Sequence, residues 1–426
     1  MLRVALAGAV YFAGGGEEFS GDVPLITYAA EHPACMWVGS YDRQDRFFRD
    51  TVVNWGPLLG GVVAGPLAIF KSFTPDFLAI RFAFIFLETL GFALFYVLSR
   101  RGGSPFGGGA PRALVMGVWL PLGWMATAVW VQEEILIAPF LLLAVVAAAR
   151  DKPGTTAVAI VLAAFVTKFI VFAFVPAAWL VMRQRRRFAL YVAASLIPIL
   201  AYSAYVKVQH GLLPFVGFDP VSGPWMSLSV FTLYGQGRWL FDWPPLGQAA
   251  GPIAKIVLAA ALAGATAVGY KIVRSSASRE GKAGLKVWAL FAATFLLFNC
   301  MSQPEYLAWY AFLAPVLLTA LVPRRAVAAA AAGVVALCLL AWGWNVLNGI
   351  LVHGELAGGG FRHDFAGRVI SSVGLEAVRL ATFGSAVVYL TLTVGVLILI
   401  FRTVRQAAET SPASSAPSRA WVHARD

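Results

Sequence analysis

Charged residues are scarce in this chain. Only 13% of its 426 residues are Asp, Glu, Lys or Arg, and 59% are hydrophobic. Soluble domains carry about 25% charged residues. With a mean hydropathy of +0.75, the composition excludes a soluble globular protein and describes a polytopic membrane protein. Segments of about ten residues with alternating polarity are missing too, which excludes an outer-membrane barrel. The spans are therefore helices, because backbone groups inside a bilayer must satisfy one another. Cysteine is nearly absent. Cys35, Cys300 and Cys338 provide neither a disulfide framework nor a zinc spacing. There is no Walker motif and no G-x-G-x-x-G opening a soluble helix. Gly107-Gly108-Gly109 reads as a flexible cytosolic loop.

What is present is a series of apolar runs. They fall at about 1–15, 77–99, 113–130, 134–149, 155–167, 169–182, 187–206, 251–273, 286–301, 306–322, 326–346 and 377–402. Several are shorter than the ~20 residues of a full span. Those around 134–182 read as partial spans that leave room for a cavity. The start, Met1-Leu2-Arg3-Val4, resembles a signal peptide. No small-residue cleavage site precedes a soluble domain, so it is expected to stay as the first helix.

Basic residues set the topology. Alternate loops collect Arg100, Arg101 and Arg112, Arg150 and Lys152, Arg183 to Arg187, Lys271 to Lys286, Arg324 and Arg325, and the tail arginines. With Arg3, that side holds 21 of the 33 basic residues and only four acids, a net of about +17, against −5 for the remainder of a chain whose total is +12. The excess is a positive-inside signal rather than a nucleic-acid footprint. The parity works if residues 56–72, short and rich in Gly and Pro, lie along the outer surface. The expected fold is an all-α polytopic bundle of about twelve transmembrane helices with outer-face juxtamembrane helices and both termini cytosolic. Residues 1–405 form one membrane module with outer loops at 16–75, 207–250 and 347–376. Residues 406–426, rich in Ser, Ala and Pro, are expected to be disordered.

Ionisable residues in or beside membrane helices are costly and usually mark function. Here they gather on the expected outer side. Asp22 follows Glu17-Glu18-Phe19-Ser20-Gly21, with Tyr28 downstream. Gln132, Glu133 and Glu134 join two apolar runs, Lys168 sits between two short ones, and Gln303, Glu305, Tyr306 and Trp309 lie at a break after Cys300. Glu133 and Glu134 are either solvated loop acids or site residues. Lys168 either snorkels to the headgroups or binds an anion. Arg81 faces headgroups or a phosphate. Glu88, in mid-helix, needs an interior partner that the sequence does not identify. His210, His353 and His363 have no metal spacing. A transporter or flippase of a lipid-linked or anionic substrate is the alternative class. It would show internal repeats, and none is found between the halves.

The order of these segments resembles the GT-C superfamily of integral membrane glycosyltransferases. It is most similar to polyprenyl-phosphate-mannose-dependent enzymes and to the mannosyltransferases of GPI assembly. An acid follows the first helix (Gly21-Asp22, then Tyr28). Asn54-Trp55-Gly56-Pro57-Leu58-Leu59 corresponds to a Tyr-x-Pro-Pro-Leu lead-in to a surface helix, with Trp-Gly-Pro where Tyr-Pro-Pro is usual. Gln132-Glu133-Glu134 matches a Gln-x-acid pair, and Lys168 a Lys that ends a short helix. Ser302-Gln303-Pro304-Glu305-Tyr306-Leu307-Ala308-Trp309 is similar to a late Ser-Pro-Gln-Tyr-Leu-x-Trp segment. The resemblance covers residues 1 to about 322. It implies a sugar, mannose or another hexose or pentose, carried on polyprenyl phosphate. The acceptor is a lipid-linked or cell-envelope glycan at the extracytoplasmic face of the plasma membrane. It implies Asp22 as general base, Lys168 and then Arg81 at the donor phosphate, and Tyr28, Gln132, Glu133, Gln303, Glu305, Tyr306 and Trp309 at the substrates. No cofactor is implied. Because the sequence offers no dense carboxylate cluster, a metal-independent reaction is expected.

Overall fold

The computed structural model describes residues 1–13, 23–33, 56–100, 110–210, 228–241, 250–275, 282–299, 304–355 and 361–409. These residues are mostly helical, with short connecting turns and no strand among them. The order begins with α1 (Leu2–Ala13), α2 (Val23–Glu31), α3 (Leu59–Lys71) and α4 (Asp76–Arg100). Next, α5 (Ala110–Trp119) and the short α6 (Pro121–Trp124) run into a π-helix, Met125–Trp130. A 3-10 turn, Glu133–Leu136, leads into α7 (Ile137–Ala149), and α8 (Pro153–Val166) follows. A second 3-10 segment, Phe169–Phe174, opens α9 (Val175–Val181). Then come α10 (Arg185–His210), α11 (Val230–Phe241), α12 (Ala250–Ser275) and α13 (Lys282–Phe298). A third 3-10 segment, Pro304–Tyr310, precedes α14 (Leu313–Leu321), α15 (Val327–Glu355), α16 (Phe361–Val373) and α17 (Leu375–Glu409).

Each of the twelve apolar runs forms a helix or a broken helix. Six stretches of the described residues are long and apolar enough to cross a membrane: Asp76–Arg100, Pro111–Trp130, Arg185–Tyr205, Pro252–Ser275, Arg324–Leu351 and Leu375–Ile398. Pro304–Tyr310 with Leu313–Leu321 makes a seventh when its 62° bend is counted within one span. At 1.5 Å per residue, α4 is about 37 Å long and α8 about 21 Å, against a hydrocarbon core of ~30 Å. The expected bundle is thus built from full-length crossings with shorter helices packed among them. The three segments expected on the outer side also carry helices: α2 and α3 in the first, α11 in the second and α16 in the third. α17 continues through residue 409.

Packing sorts the helices. α7 buries nine of its 13 residues and α13 14 of its 17. Phe174, Trp288, Phe295 and Trp309 stack at the centre, with Phe295 and Trp309 rings 5.1 Å apart. α10 and α12 instead expose Leu190, Ile197, Leu200, Ile256 and Val268, as helices facing lipid do. α3 buries Leu59, Val63 and Leu67, a stripe with helical spacing that packs on α2 and α4. Lys71 at its end pairs with Glu31 and, at 3.1 Å, with Asp76.

Arg3 departs from its expected cytosolic place. Its Nε and Nη2 donate to Glu88 Oε2 and Oε1 at 2.7 and 2.9 Å. Glu88 is the thirteenth of the 25 residues of α4 and is buried, so Arg3 lies at mid-helix depth. The reason is electrostatic: a lone carboxylate in an apolar interior is costly, and a bidentate guanidinium offsets that cost.

Candidate functional site

Four irregular backbone segments meet at one end of the bundle. Inside a membrane such segments persist only where protein or a polar cavity satisfies them. The first is the π-helix and its exit. Val131 takes a left-handed φ of 51°, a conformation that is strained for a β-branched residue. Gln132 is extended, and the 3-10 turn then presents Glu133 and Glu134. The second is the break at Thr167–Lys168, where α8 stops and the second 3-10 segment starts. The third is the 3-10 segment that carries Glu305, Tyr306 and Trp309. The fourth is the lead-in to α3. There the Gly56 and Leu58 backbone N–H groups donate to the carbonyls of Thr167 and Phe165. A Cβ on Gly56 would lie 2.1 Å from the Phe165 carbonyl oxygen. This contact explains the glycine of Trp-Gly-Pro: backbone meets backbone with no room for a side chain.

Lys168 is the centre of the cluster. Its Nζ lies 2.9 Å from Glu133 Oε1 and also pairs with Glu134 Oε1. It sits 5.3 Å from the centroid of the Tyr306 ring, within cation–π reach. Both glutamates are buried, with side-chain exposures of 1% and 0%, while Lys168 keeps 21%. Glu133 and Glu134 are therefore not solvated loop acids. Nor is Lys168 a snorkelling residue, because two carboxylates hold it. Glu305, also buried, accepts from Asn345 Nδ2 of α15 at 3.3 Å. Two carboxylates thus face one ammonium, and a third, Glu305, lies on the same 3-10 segment as Tyr306. Glu133 Oε2 and Glu134 Oε2 accept no hydrogen bond, and Trp309 Nε1 donates none, among the described residues. Tyr306 stacks on Trp309 at 4.8 Å and on Phe295 at 6.0 Å, which makes one aromatic wall.

The other expected site residues are placed as follows. Gln132 is buried, immediately before the acidic pair. Tyr28 is on α2, its ring 4.5 Å from that of His32. Arg81 is fully buried. Its Nε, Nη1 and Nη2 donate to the carbonyls of Ala128, Phe77 and Val129 at 3.2, 3.0 and 3.1 Å, and its guanidinium lies 3.7 Å over the Phe77 ring. It thus donates to backbone carbonyls of α4 and the π-helix. Asp22 and Gln303 lie outside the described residues, as do Trp55 and Cys300. Asn345 and Thr127 are additions. A polar Asn in the apolar α15 was the visible signal for the first. Thr127 carries no signal in the sequence.

Two further features frame the site. Behind the third 3-10 segment is an apolar cavity of about 110 Å³, lined by residues including Leu122, Leu307, Tyr310, Leu337 and Val396. At the opposite end of α8, Asp151 ties two turns together. Its Oδ1 accepts the Arg183 and Gln184 backbone N–H groups at 2.9 and 3.0 Å. Partial burial pushes its carboxyl up, but the hydrogen bonds from Gln184 and Arg183 outweigh this and hold it below the usual carboxylate value.

No protein-family model matches the sequence, and comparison with curated proteins produces no match. Among solved structures, the chain is similar to the crystal structure of ArnT from Cupriavidus metallidurans bound to undecaprenyl phosphate. The identity is 17%, over 96% of this chain and 78% of that chain, with a TM-score of 0.46.

Proposed function

We propose that this chain is an integral membrane glycosyltransferase. It moves a sugar from a polyprenyl-phosphate carrier to a hydroxyl of a lipid-linked or cell-envelope glycan on the extracytoplasmic side. The observation that carries this reading is the meeting of Glu133–Glu134, Lys168 and Glu305–Tyr306 at broken helix ends. These are the segments whose order in the sequence resembles the GT-C pattern. The Gly56 lead-in docks at the same break, which brings a fourth motif segment to it.

The chemistry follows from the groups present. Asp22 takes the proton of the acceptor hydroxyl as its oxygen attacks the anomeric carbon. The bond from that carbon to the phosphate oxygen breaks, its electron pair stays on the phosphate, and the configuration inverts. Lys168 has three N–H donors. Two face Glu133 and Glu134, and the third serves the phosphoryl oxygen as its charge grows. A sugar ring supplies hydroxyl donors for the unmatched carboxylate oxygens of Glu133 and Glu134, and Tyr306 and Trp309 supply a flat apolar wall. The apolar cavity beside Leu307 offers surface for the carrier chain. Such a reaction needs no metal.

The test uses membranes containing the wild type or Asp22→Asn, supplied with radiolabelled polyprenyl-phosphate sugar and a lipid extract. The variant is expected to lose transfer by about a hundredfold or more at equal expression. Undiminished transfer would remove Asp22 as the base. Solute movement across the membrane with no glycosyl transfer would replace the enzyme by a transporter.

A further inference from the structure

α4 carries two ionisable residues that the chemistry above does not use, and both end on the same neighbour. Arg81 holds the carbonyls of Ala128 and Val129 in the π-helix. Seven residues on, Glu88 Oε2 accepts the Thr127 hydroxyl of the same π-helix at 3.1 Å. Gly123 makes room for this contact, since a Cβ there would sit 2.3 Å from Glu88 Oε1. The π-helix is thus gripped at three consecutive residues from one face of α4. Its exit is the left-handed Val131, and the next residues are Gln132, Glu133 and Glu134. A strained exit persists only when its surroundings over-determine it, and the grip from α4 does so.

The Glu88 carboxylate has a second load. Through the bidentate Arg3 contact it also holds α1, which packs on both α4 and the π-helix. In the sequence, α1 is followed nine residues later by Asp22. One buried carboxylate therefore joins the helix that leads to the base and the helix that leads to the acidic pair. A simple structural ion pair would need neither the Thr127 bond nor the glycine opposite.

We propose that Glu88 is a positioning residue for sugar transfer. It sets α1 and the π-helix relative to each other, and through the π-helix exit it sets the turn that presents Glu133 and Glu134 to Lys168. Arg81 holds the second point of the π-helix. The proposal rests on the glycosyltransferase reading, so its test includes a readout that does not depend on activity.

The full chain in lipid nanodiscs is compared with Glu88→Gln, Thr127→Val and Arg3→Lys. Hydrogen exchange of the amides of α1 and of 125–136, the thermal midpoint and steady-state transfer are measured on each. Expected is faster exchange at 125–136 and in α1 for Glu88→Gln, and at 125–136 alone for Thr127→Val. Their kcat should fall about ten- to a hundredfold while KM stays within about twofold. Arg3→Lys, which keeps the charge opposite Glu88, should retain most of kcat. Unchanged exchange at 125–136 overturns the proposal. So does an even rise across α7 to α17 with kcat per folded molecule intact, since that describes a purely structural pair. A wild type that transfers no sugar, with the local exchange response present, brings down the reaction and leaves the anchor standing. A wild type that transfers sugar, with variants that match it, does the reverse.

Discussion

α10 and α12 on one side, and α7 to α9 with α13 on the other, are both apolar and behave differently. The candidate spans on α10 and α12 are only 17% buried, run unbroken for 26 residues each and meet lipid. The inner group is short, interrupted by 3-10 turns and more deeply buried, with nine of 13 residues buried in α7, eight of 14 in α8 and 14 of 17 in α13. Lipid contact tolerates only a continuous helix, because a freed backbone group has no partner there. The breaks at the π-helix exit, at the end of α8, before α14 and at the lead-in to α3 are instead met by other protein segments, and Glu133, Glu134, Lys168 and Glu305 lie at them. A broken apolar run is thus a better marker of the site than any single charged residue.

The largest effect that would break this contrast is expected at Lys168. Lys168→Met leaves Glu133 and Glu134 buried without their cation, at a cost of about 3–5 kcal/mol. Folded yield and thermal midpoint should fall sharply. Adding Glu133→Gln and Glu134→Gln should restore the midpoint without restoring transfer. Recovery of both would make the cluster structural only.

Glycines sharpen the comparison at intermediate size. Gly56→Ala places a methyl 2.1 Å from a carbonyl oxygen in the inner group and should destabilise by about 1–3 kcal/mol. Gly264→Ala on α12 meets nothing within 4 Å and should be neutral or stabilising by up to about 1 kcal/mol. Denaturation of both variants in one detergent measures the difference. Equal effects would mean that the two regions are packed alike.

The smallest effect concerns acid. Asp151 has a lowered folded value. Its contribution to stability is therefore complete above the ordinary carboxylate value of about 3.9 and is lost as the pH falls through the folded value. Asp151→Asn should remove this acid limb from the thermal midpoint measured between about pH 6 and pH 3. An identical acid limb in both proteins would assign it to other carboxylates.

Much of the site was legible because charge is rare here. Glu133, Glu134, Lys168 and Glu305 stood out against apolar neighbours, and their shared side followed from the basic loops. Their mutual pairing did not follow. Lys168 was open between headgroup and anion, and only the approach of the second and third breaks supplied its carboxylates. Glu88 was legible as a residue in need of a partner. Its partner, 85 positions away, belonged to a residue assigned by the charge count to the cytosolic end. Arg81 was legible as a cation but not as a backbone clamp, since carbonyls exposed by a π-helix leave no trace in the sequence.

The sequence by itself determined a helical membrane protein, the position of its apolar runs and the few polar residues that interrupt them. Composition and spacing suffice for that, because the bilayer imposes the same demand on every residue it touches. Tertiary structure alone decided which interruptions meet and which charge answers which. It also decided why position 56 is glycine, since two backbones approach there from segments more than a hundred residues apart. Those are contacts between distant parts of the chain, set by how helix faces pack, and no local pattern encodes them.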